Sequence, residues 1–237
     1  MISVDAVYQT VLTLANKEQR GYITPQEFNI LATQAQMDIF EQYFYDINQF
    51  GRVPGNNTEY SDMLNYLEEK ISVFETSKQI NINSAKEFYN VSAQIPDLYR
   101  FGSILYSFEN TNKLCEKVNA NLVDSIVKSP LLKPNRDRPI YTLKDGKIYM
   151  YPSFIEEPII VNYIKKPKDV KWTYLVVDAK PLYNGTATDL QDFELHVTEQ
   201  VDLVIKILTL AGVTLKDPNL YQIAAAEDNK NIQQEKQ

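Results

Sequence analysis

The hydrophobic periodicity of this chain changes twice, and that change limits the folds open to it. In residues 1–78, and again in residues 190–226, apolar side chains recur every three or four positions, as on one face of a helix. Residues 79–189 instead contain short runs of strand-forming residues separated by turn signals. The sequence therefore predicts an α+β fold, with a helical bundle from the two terminal segments and a β-rich insertion between them. Residues 227–237 are almost wholly polar and are predicted to form a polar tail.

Helix limits are marked most clearly in the first segment. One helix is predicted from Val4 to about Asn16. The next begins at Thr24–Glu27, where threonine can cap the helix, proline fits the first helical position and glutamate can reach back to the cap amide. We expect this second helix to stop near Gly51, and a third helix to run over residues 60–74.

The C-terminal segment is predicted to contain a deeply buried helix. Its apolar stripe contains Val197, Val201, Val204, Leu208 and Ala211, and Leu203, Ile207 and Leu210 flank it. Gly212 is expected to end this helix, and Asp217–Pro218 to begin another.

The insertion is predicted to be mainly β-structure. Strands are expected at Ile80–Asn83, Tyr99–Phe108, Ile159–Ile164 and Trp172–Val177. One helix is expected near residues 113–128, with an apolar stripe of Leu114, Val118, Leu122 and Ile126. The clearest hairpin signal is Asp145–Gly146, a pair that suits a type I′ turn. Counting outward from that turn predicts two cross-strand pairs: Leu143 opposite Ile148, and Tyr141 opposite Met150.

A short segment between the first two predicted helices resembles a calcium-binding EF-hand loop. In Asn16–Glu27, Gly21 takes the sixth position and Glu27 the twelfth. The first position carries Asn16 where a carboxylate is expected, and the fifth carries Arg20, a fixed positive charge where the cation would lie. Glu27 is already explained by the helix cap. We therefore predict no calcium site here.

His196 is the single histidine and Cys115 the single cysteine, which limits catalytic triads and zinc sites. His196 is predicted to lie in the first turns of the buried C-terminal helix, packed and hydrogen-bonded. Cys115 is predicted to be a buried or half-buried structural thiol on the helix near residues 113–128. Neither is assigned a catalytic or metal-binding role. No cofactor is predicted either, because the sequence has no glycine-rich phosphate-binding motif.

Clustered charges provide the remaining candidates for chemistry. Glu68–Glu69, Glu156–Glu157 and Asp189–Glu194 are interpreted as solvated turns or as negative charge at a helix start. Two basic clusters, Lys165–Lys171 and Lys133–Arg138, could contact phosphates or an acidic neighbour, and solvated loop charge is the simpler interpretation. The chain is predicted not to be an enzyme. A histidine-independent hydrolase using Glu156–Glu157 is the enzymatic alternative.

The overall charge and hydropathy restrict the partners. The net charge of −7 disfavours broad adhesion to DNA or anionic lipid, which requires a basic face. No stretch approaches 18 apolar residues, and the first residues lack the pattern of a signal peptide. We therefore expect a protein made in the cytoplasm, with no membrane partner.

Several segments of the sequence resemble virion structural proteins of short-tailed bacteriophages. They are Leu14–Phe28, Ala35–Phe40, Pro139–Tyr141, Pro158–Pro167 with Trp172 soon after, Asp192–His196 and Ala211–Pro218. With the helix–strand–helix order, they make the chain similar to the head–tail adaptor, or connector ring, proteins of the tail tubular A type.

The resemblance implies a structural protein of the virion neck. Such a protein would form a ring of twelve copies between portal and tail, with DNA passing through the lumen without sequence-specific binding. Its partners would be further copies of itself, the portal protein and other tail or ring proteins. The 16 tyrosines suit contacts between subunits. The alternative is a β-rich binding module of a tail or fibre that recognises a receptor or glycan through exposed aromatics such as Tyr149, Tyr151 or Trp172.

Overall fold

In the computed structural model the chain is mixed α and β, as predicted, and contains a curled seven-stranded sheet. The structure describes residues 1–17, 23–50, 62–108, 111–178, 180–214 and Ala226. The chain divides into two compact units, which are described separately. Unit 1 is Met1–Val73 with Pro167–Gln237, and unit 2 is Phe74–Lys166.

The N-terminal helices of unit 1 form where the sequence predicts them. Helix α1 is Val4–Lys17, α2 is Pro25–Phe50 and α3 is Asp62–Ser72. The start of α2 is the predicted reciprocal cap. The Thr24 N–H donates to Glu27 Oε2 (2.9 Å), and the Glu27 N–H donates to Thr24 Oγ1 (3.3 Å). Gly51, expected to end α2, lies outside the described residues.

The C-terminal helix differs from the prediction in its limits and in its buried face. A 3₁₀ helix, Val197–Glu199, leads into α6, Gln200–Thr214, which continues past Gly212. Val197 and Val201 were predicted on the buried stripe and are 59% and 66% exposed. The other three residues of the predicted stripe, Val204, Leu208 and Ala211, are buried as expected, together with Leu203 and Ile207, where α6 packs on α1 and α2. Asp217–Pro218 and the tail 227–237 lie outside the described residues.

An extended segment after residue 166 is held by polar side chains spaced along one face of α2. The Lys168 carbonyl accepts from Gln36 Nε2 (2.8 Å), the Val170 N–H donates to Thr33 Oγ1 (3.1 Å), and the Trp172 N–H donates to Asn29 Oδ1 (2.8 Å). These contacts explain why the segment belongs to unit 1. The prediction that residues 79–189 lie together in the insertion is therefore wrong for the residues from Pro167 onward.

Unit 1 also contains a small separate sheet. Strands β8, Tyr174–Val177, and β9, Lys180–Tyr183, form a two-stranded antiparallel hairpin. The strand predicted from Trp172 therefore begins two residues later, because the backbone of Trp172 bonds to the Asn29 side chain instead.

Unit 2 is built on the seven-stranded sheet. Its elements are β1 Glu75–Ile80, β2 Tyr89–Asn90, α4 Val91–Gln94, β3 Leu98–Phe108, β4 Thr111–Lys117, α5 Ala120–Lys128, β5 Ile140–Lys144, β6 Lys147–Tyr151 and β7 Ile159–Lys165. The strand order is β1-β7-β3-β4-β5-β6-β2. Neighbouring strands are antiparallel except for β4 and β5. The expected strand at Ile80–Asn83 is only the end of β1, followed by a bridge from Ile82 to Tyr89.

The predicted hairpin of unit 2 is confirmed in both turn and register. Strands β5 and β6 pair Leu143 with Ile148 and Tyr141 with Met150. The turn residues Asp145 and Gly146 have φ values of 54° and 64°. Positive φ at both central positions is what a type I′ turn requires.

The helix predicted over residues 113–128 is wrong in its first part. Residues 113–117 belong to β4, which pairs with β3 so that Ile104 lies opposite Cys115. Cys115 is buried against the core of unit 2, while Leu114, expected on the apolar face of a helix, is 64% exposed. The helix α5 begins only at Ala120, because the residues up to Lys117 pair with β3 and β5 as strand β4.

Candidate functional site

His196, the residue most often associated with chemistry, has a structural position. It caps the 3₁₀ helix, where its side chain accepts from the Thr198 N–H (3.5 Å) and its Nδ1 lies 2.9 Å from Thr198 Oγ1. This corrects the expectation that it lies inside the helix. Within the described residues, the side-chain hydrogen bonds of His196 are to Thr198, and no carboxylate accepts one from it as a catalytic triad would require.

Cys115 is an inert thiol by its surroundings. Burial raises its pKa from 9.0 to about 12, so the reactive thiolate is scarce near neutral pH. Within the described ranges, no group of three or more His, Cys, Asp or Glu side chains is arranged to hold a metal ion.

The candidate carboxylates are engaged in local contacts. Glu156 forms an ion pair with Lys86, and Asp189 lies 2.5 Å from Lys171 Nζ. Asp192 was expected to lie at the start of the C-terminal helix, and it does not. Its Oδ1 accepts from the Val4 N–H (2.8 Å), so it caps α1.

Further carboxylate candidates are also accounted for. Glu194 Oε2 accepts from the Lys168 N–H (3.1 Å) and so helps to hold the extended segment after residue 166. Glu68 and Glu69 are exposed on α3.

In the EF-hand-like segment, hydrogen bonds from Thr24 lower the pKa of Glu27, while Arg20 and Gly21 lie outside the described residues.

Arg136, in the loop before β5, packs on aromatic rings. The Arg136 guanidinium lies 4.7 Å from the Phe108 ring centroid and 5.2 Å from that of Phe154. Lys113 forms an ion pair with Asp137 in the same region. In unit 1, Lys171 is paired with a carboxylate, as described above.

A buried ion pair in unit 1 was missed by the sequence analysis. Lys70 Nζ of α3 lies 2.6 Å from Glu199 Oε1 of the 3₁₀ helix, and the two side chains are only 3% and 5% exposed. Lys70 also lies over the ring of Tyr66 at 4.3 Å. The signal in the sequence is the position of Lys70 between Leu67 and Ile71, on the apolar face of α3.

The most distinctive surface of the described chain is the β8–β9 hairpin. We define the hairpin surface as its exposed apolar side chains, which are Leu175, Val176, Val177, Leu182 and Tyr183. They are between 40% and 67% exposed and lie on both faces of the hairpin. Contiguous exposed apolar side chains of this kind mark contact sites on proteins.

Two tyrosine rings at the base of the hairpin stack on the ring of Trp172, the single tryptophan. The Trp172 ring lies 5.7 Å from Tyr174 and 5.9 Å from Tyr183, in stacked geometry, and 4.4 Å from Tyr8 of α1. Its Nε1 donates to Asp5 Oδ1 (2.9 Å). The hairpin is therefore anchored to α1 at one end and projects its apolar residues at the other.

No protein-family model matches the chain, and no curated protein matches its sequence. Within the described ranges, no helix combines the length and the hydropathy that a membrane-spanning segment requires.

A groove of about 640 Å³ lies between α1 and the hairpin. Its lining is mainly apolar and aromatic, with Tyr8 and Leu12 on one side and Tyr174, Val176 and Tyr183 on the other. Trp172, one of the aromatics considered for glycan binding, is only 2% exposed. It therefore supports the groove from beneath and does not offer an open ring face.

The other two aromatics considered for glycan binding lie in unit 2. Tyr149 and Tyr151 are half-buried, and Tyr149 packs against Phe88 with ring centroids 5.8 Å apart. The structure thus groups none of the three into an open aromatic platform within the described residues.

Proposed function

We propose that this chain is a structural component of a tailed-phage virion neck. It would form an oligomeric adaptor ring between portal and tail, through which DNA passes. The observation that supports this proposal most directly is the hairpin surface, an anchored projection that offers neighbouring proteins apolar contact area.

Within this proposal, the helices of unit 1 act as a helical bundle that forms the body of each subunit. The described helices α1 and α2 both pack against α6, and α3 packs against α2. Adjacent subunits of a ring use two different patches, related by a rotation that closes. We propose twelve copies, in line with the resemblance of the sequence to connector proteins.

The charge of the chain suits a lumen that lets DNA pass. With a net charge of −7, the subunits would not neutralise many phosphates, and sequence-independent affinity for DNA depends on such neutralisation. The proposed localisation is the virion, after synthesis in the host cytoplasm.

Electron microscopy of the purified chain, alone and mixed with the portal protein of the same virion, tests this proposal. We expect closed rings in the mixture, or portal particles that carry an added ring of density. A chain that stays unassociated and leaves the portal particle unchanged at micromolar concentrations would refute it.

A further inference from the structure

The backbone of β8 has an edge that the hairpin leaves open. The Asn184 N–H donates to the Thr173 carbonyl (2.9 Å), which places Thr173 and Asn184 at a hydrogen-bonded position of the ladder, while the Asn184 carbonyl accepts from Thr173 Oγ1 (2.6 Å). In an antiparallel ladder, bonded and non-bonded pairs alternate. By that alternation Tyr174 and Val176 occupy non-bonded positions, and their N–H and C=O groups point away from β9.

The open edge is limited to these two residues. Trp172, the next residue in the alternation toward the base, already has both backbone groups bonded. Its N–H donates to Asn29 Oδ1 (2.8 Å), and its carbonyl accepts from Asn29 Nδ2 (3.2 Å). Among the described residues, no hydrogen bond occupies the outward backbone groups of Tyr174 or Val176.

The opposite edge of the hairpin is blocked. Pro181 of β9 lies across from Val176 and has no N–H to offer at that outer edge. The end strands of the unit 2 sheet are protected in other ways: β1 carries Glu75 and Lys78, and β2 is only two residues long. Strand β8 alone among these edges is both uncharged and apolar on both faces.

We infer that two copies of the free chain pair through their β8 strands, antiparallel and about a twofold axis. With Tyr174 opposite Val176 of the second copy, and Val176 opposite its Tyr174, the two outward N–H groups and two outward carbonyls of each copy are all satisfied. Four intermolecular hydrogen bonds form, and no other antiparallel register satisfies all of these groups. The edge is thus complementary to itself.

Two features favour a second copy of the chain as the partner of the β8 edge. They are the absence of charge on β8 and the block to further strand pairing at Pro181. Tyr174–Val177 carries no charged side chain, so two chains that are each strongly acidic can approach here without bringing like charges together. Pairing builds one four-stranded sheet, which meets the usual minimum for a stable sheet, and Pro181 blocks growth at both of its ends. The expected product is a dimer and nothing larger.

The dimer belongs to the free chain and not to the ring. An isologous contact relates two copies by a twofold axis, whereas neighbours in a cyclic ring are related by the ring rotation. The inference therefore stands apart from the proposed function. A chain that fails to form rings can still dimerise, and a chain that never dimerises can still form rings.

A cysteine placed on the twofold axis tests the register directly. In the pairing above, Leu175 lies opposite Leu175 of the second copy in a non-bonded pair, where Cα atoms are about 4.5 Å apart. Leu175→Cys should therefore give a disulfide-linked dimer on mild oxidation, since bridges form at Cα separations of about 4.4–6.8 Å. Val177→Cys is the matched control. It lies on the same face but away from the axis, and should remain monomeric on non-reducing gels. The native Cys115 is buried.

Sedimentation velocity tests the dimer without cross-linking. For the unmodified chain, we expect the dimer fraction to rise with concentration over roughly 1–100 µM, as for a small interface. Val176→Pro copies the blocking residue onto β8 and removes one outward N–H from each copy. Loss of two hydrogen bonds should weaken dimerisation at least about tenfold. Pro181→Val should have the opposite effect, adding species larger than the dimer.

Three outcomes would overturn the inference. They are a chain that is monomeric throughout this range, a dimer that Val176→Pro leaves intact, and equal cross-linking at positions 175 and 177. Near-ultraviolet circular dichroism from Trp172, which stacks on the base of the hairpin, shows whether each variant keeps the hairpin folded.

Discussion

The ion pair between Lys70 and Glu199 predicts a sharp difference between losing one charge and losing both. Lys70 Nζ and Glu199 Oε1 are 2.6 Å apart, and the two side chains are 3% and 5% exposed. At an effective dielectric constant of about 20, their attraction is about 6 kcal/mol. Much of that attraction offsets the cost of removing both charges from water. Removing one partner alone, however, leaves the other buried and uncompensated, which costs about 3–5 kcal/mol.

The variants Lys70→Met and Glu199→Gln keep the shape of each side chain while removing its charge. We expect each to lower the free energy of unfolding of unit 1 by about 3–5 kcal/mol. In urea, this loss corresponds to a fall in the unfolding midpoint of roughly 2 M. The fluorescence of Trp172, the single tryptophan, reports the unfolding of the same unit.

The combined variant with Lys70→Met and Glu199→Leu decides between charge and packing. If uncompensated charge causes the loss, the apolar pair should restore stability to within about 1 kcal/mol of the unmodified chain, or exceed it. Lys171→Met is the control, because its ion pair with Asp189 has side chains 53% and 55% exposed and its loss should hardly move the midpoint. Single variants no worse than this control, or a double variant as unstable as the singles, would refute the reasoning.

Three other changes test separate parts of the fold. Thr24→Ala removes the cap of α2 and should cost about 1 kcal/mol in urea unfolding of unit 1; no change would mean that the cap is dispensable. Gly146→Ala places a Cβ at positive φ, 2.2 Å from Ser92 Oγ, and should cost about 1–2 kcal/mol by circular dichroism, whereas an unchanged melting curve would contradict the turn assignment. Cys115 should resist thiol reagents until unit 2 unfolds. Because its folded pKa of about 12 exceeds the ordinary value of 9.0, its contribution to stability is present below pH 9 and is lost as the pH rises toward 12. Cys115→Ala should make that alkaline loss of stability shallower, and an equal slope in both proteins would count against the burial of the thiol.

The parts of the fold that were predicted correctly depend on neighbours in the sequence. The cap at Thr24–Glu27 involves residues three positions apart, and the turn at Asp145–Gly146 fixes the register of its own strands. Such signals are complete within a few residues, so the sequence alone contains them.

The parts that were not predicted depend on residues far apart in the chain. Strand β4 was mistaken for helix because its pairing with β3, which buries Cys115 against Ile104, leaves no local mark. Val197 and Val201 were wrongly predicted as buried because the packing of α6 on α1 and α2 decides which residues are covered. Trp172 joins unit 1 through Asp5 and Asn29, each more than 140 positions away.

The amino-acid composition of β8 is typical of a strand that is covered by other residues, although β8 is exposed in the single chain. Tyr174–Val177 has an apolar or aromatic residue at every position, a pattern typical of strands buried on both faces. Yet Leu175, Val176 and Val177 are all at least half exposed in the single chain. Strand β1, which also has an open edge, carries Glu75, Ser77, Lys78 and Gln79 at its exposed positions. Because the same chain protects one edge with polar residues and leaves the other apolar, the apolar edge is best explained by a surface that covers it.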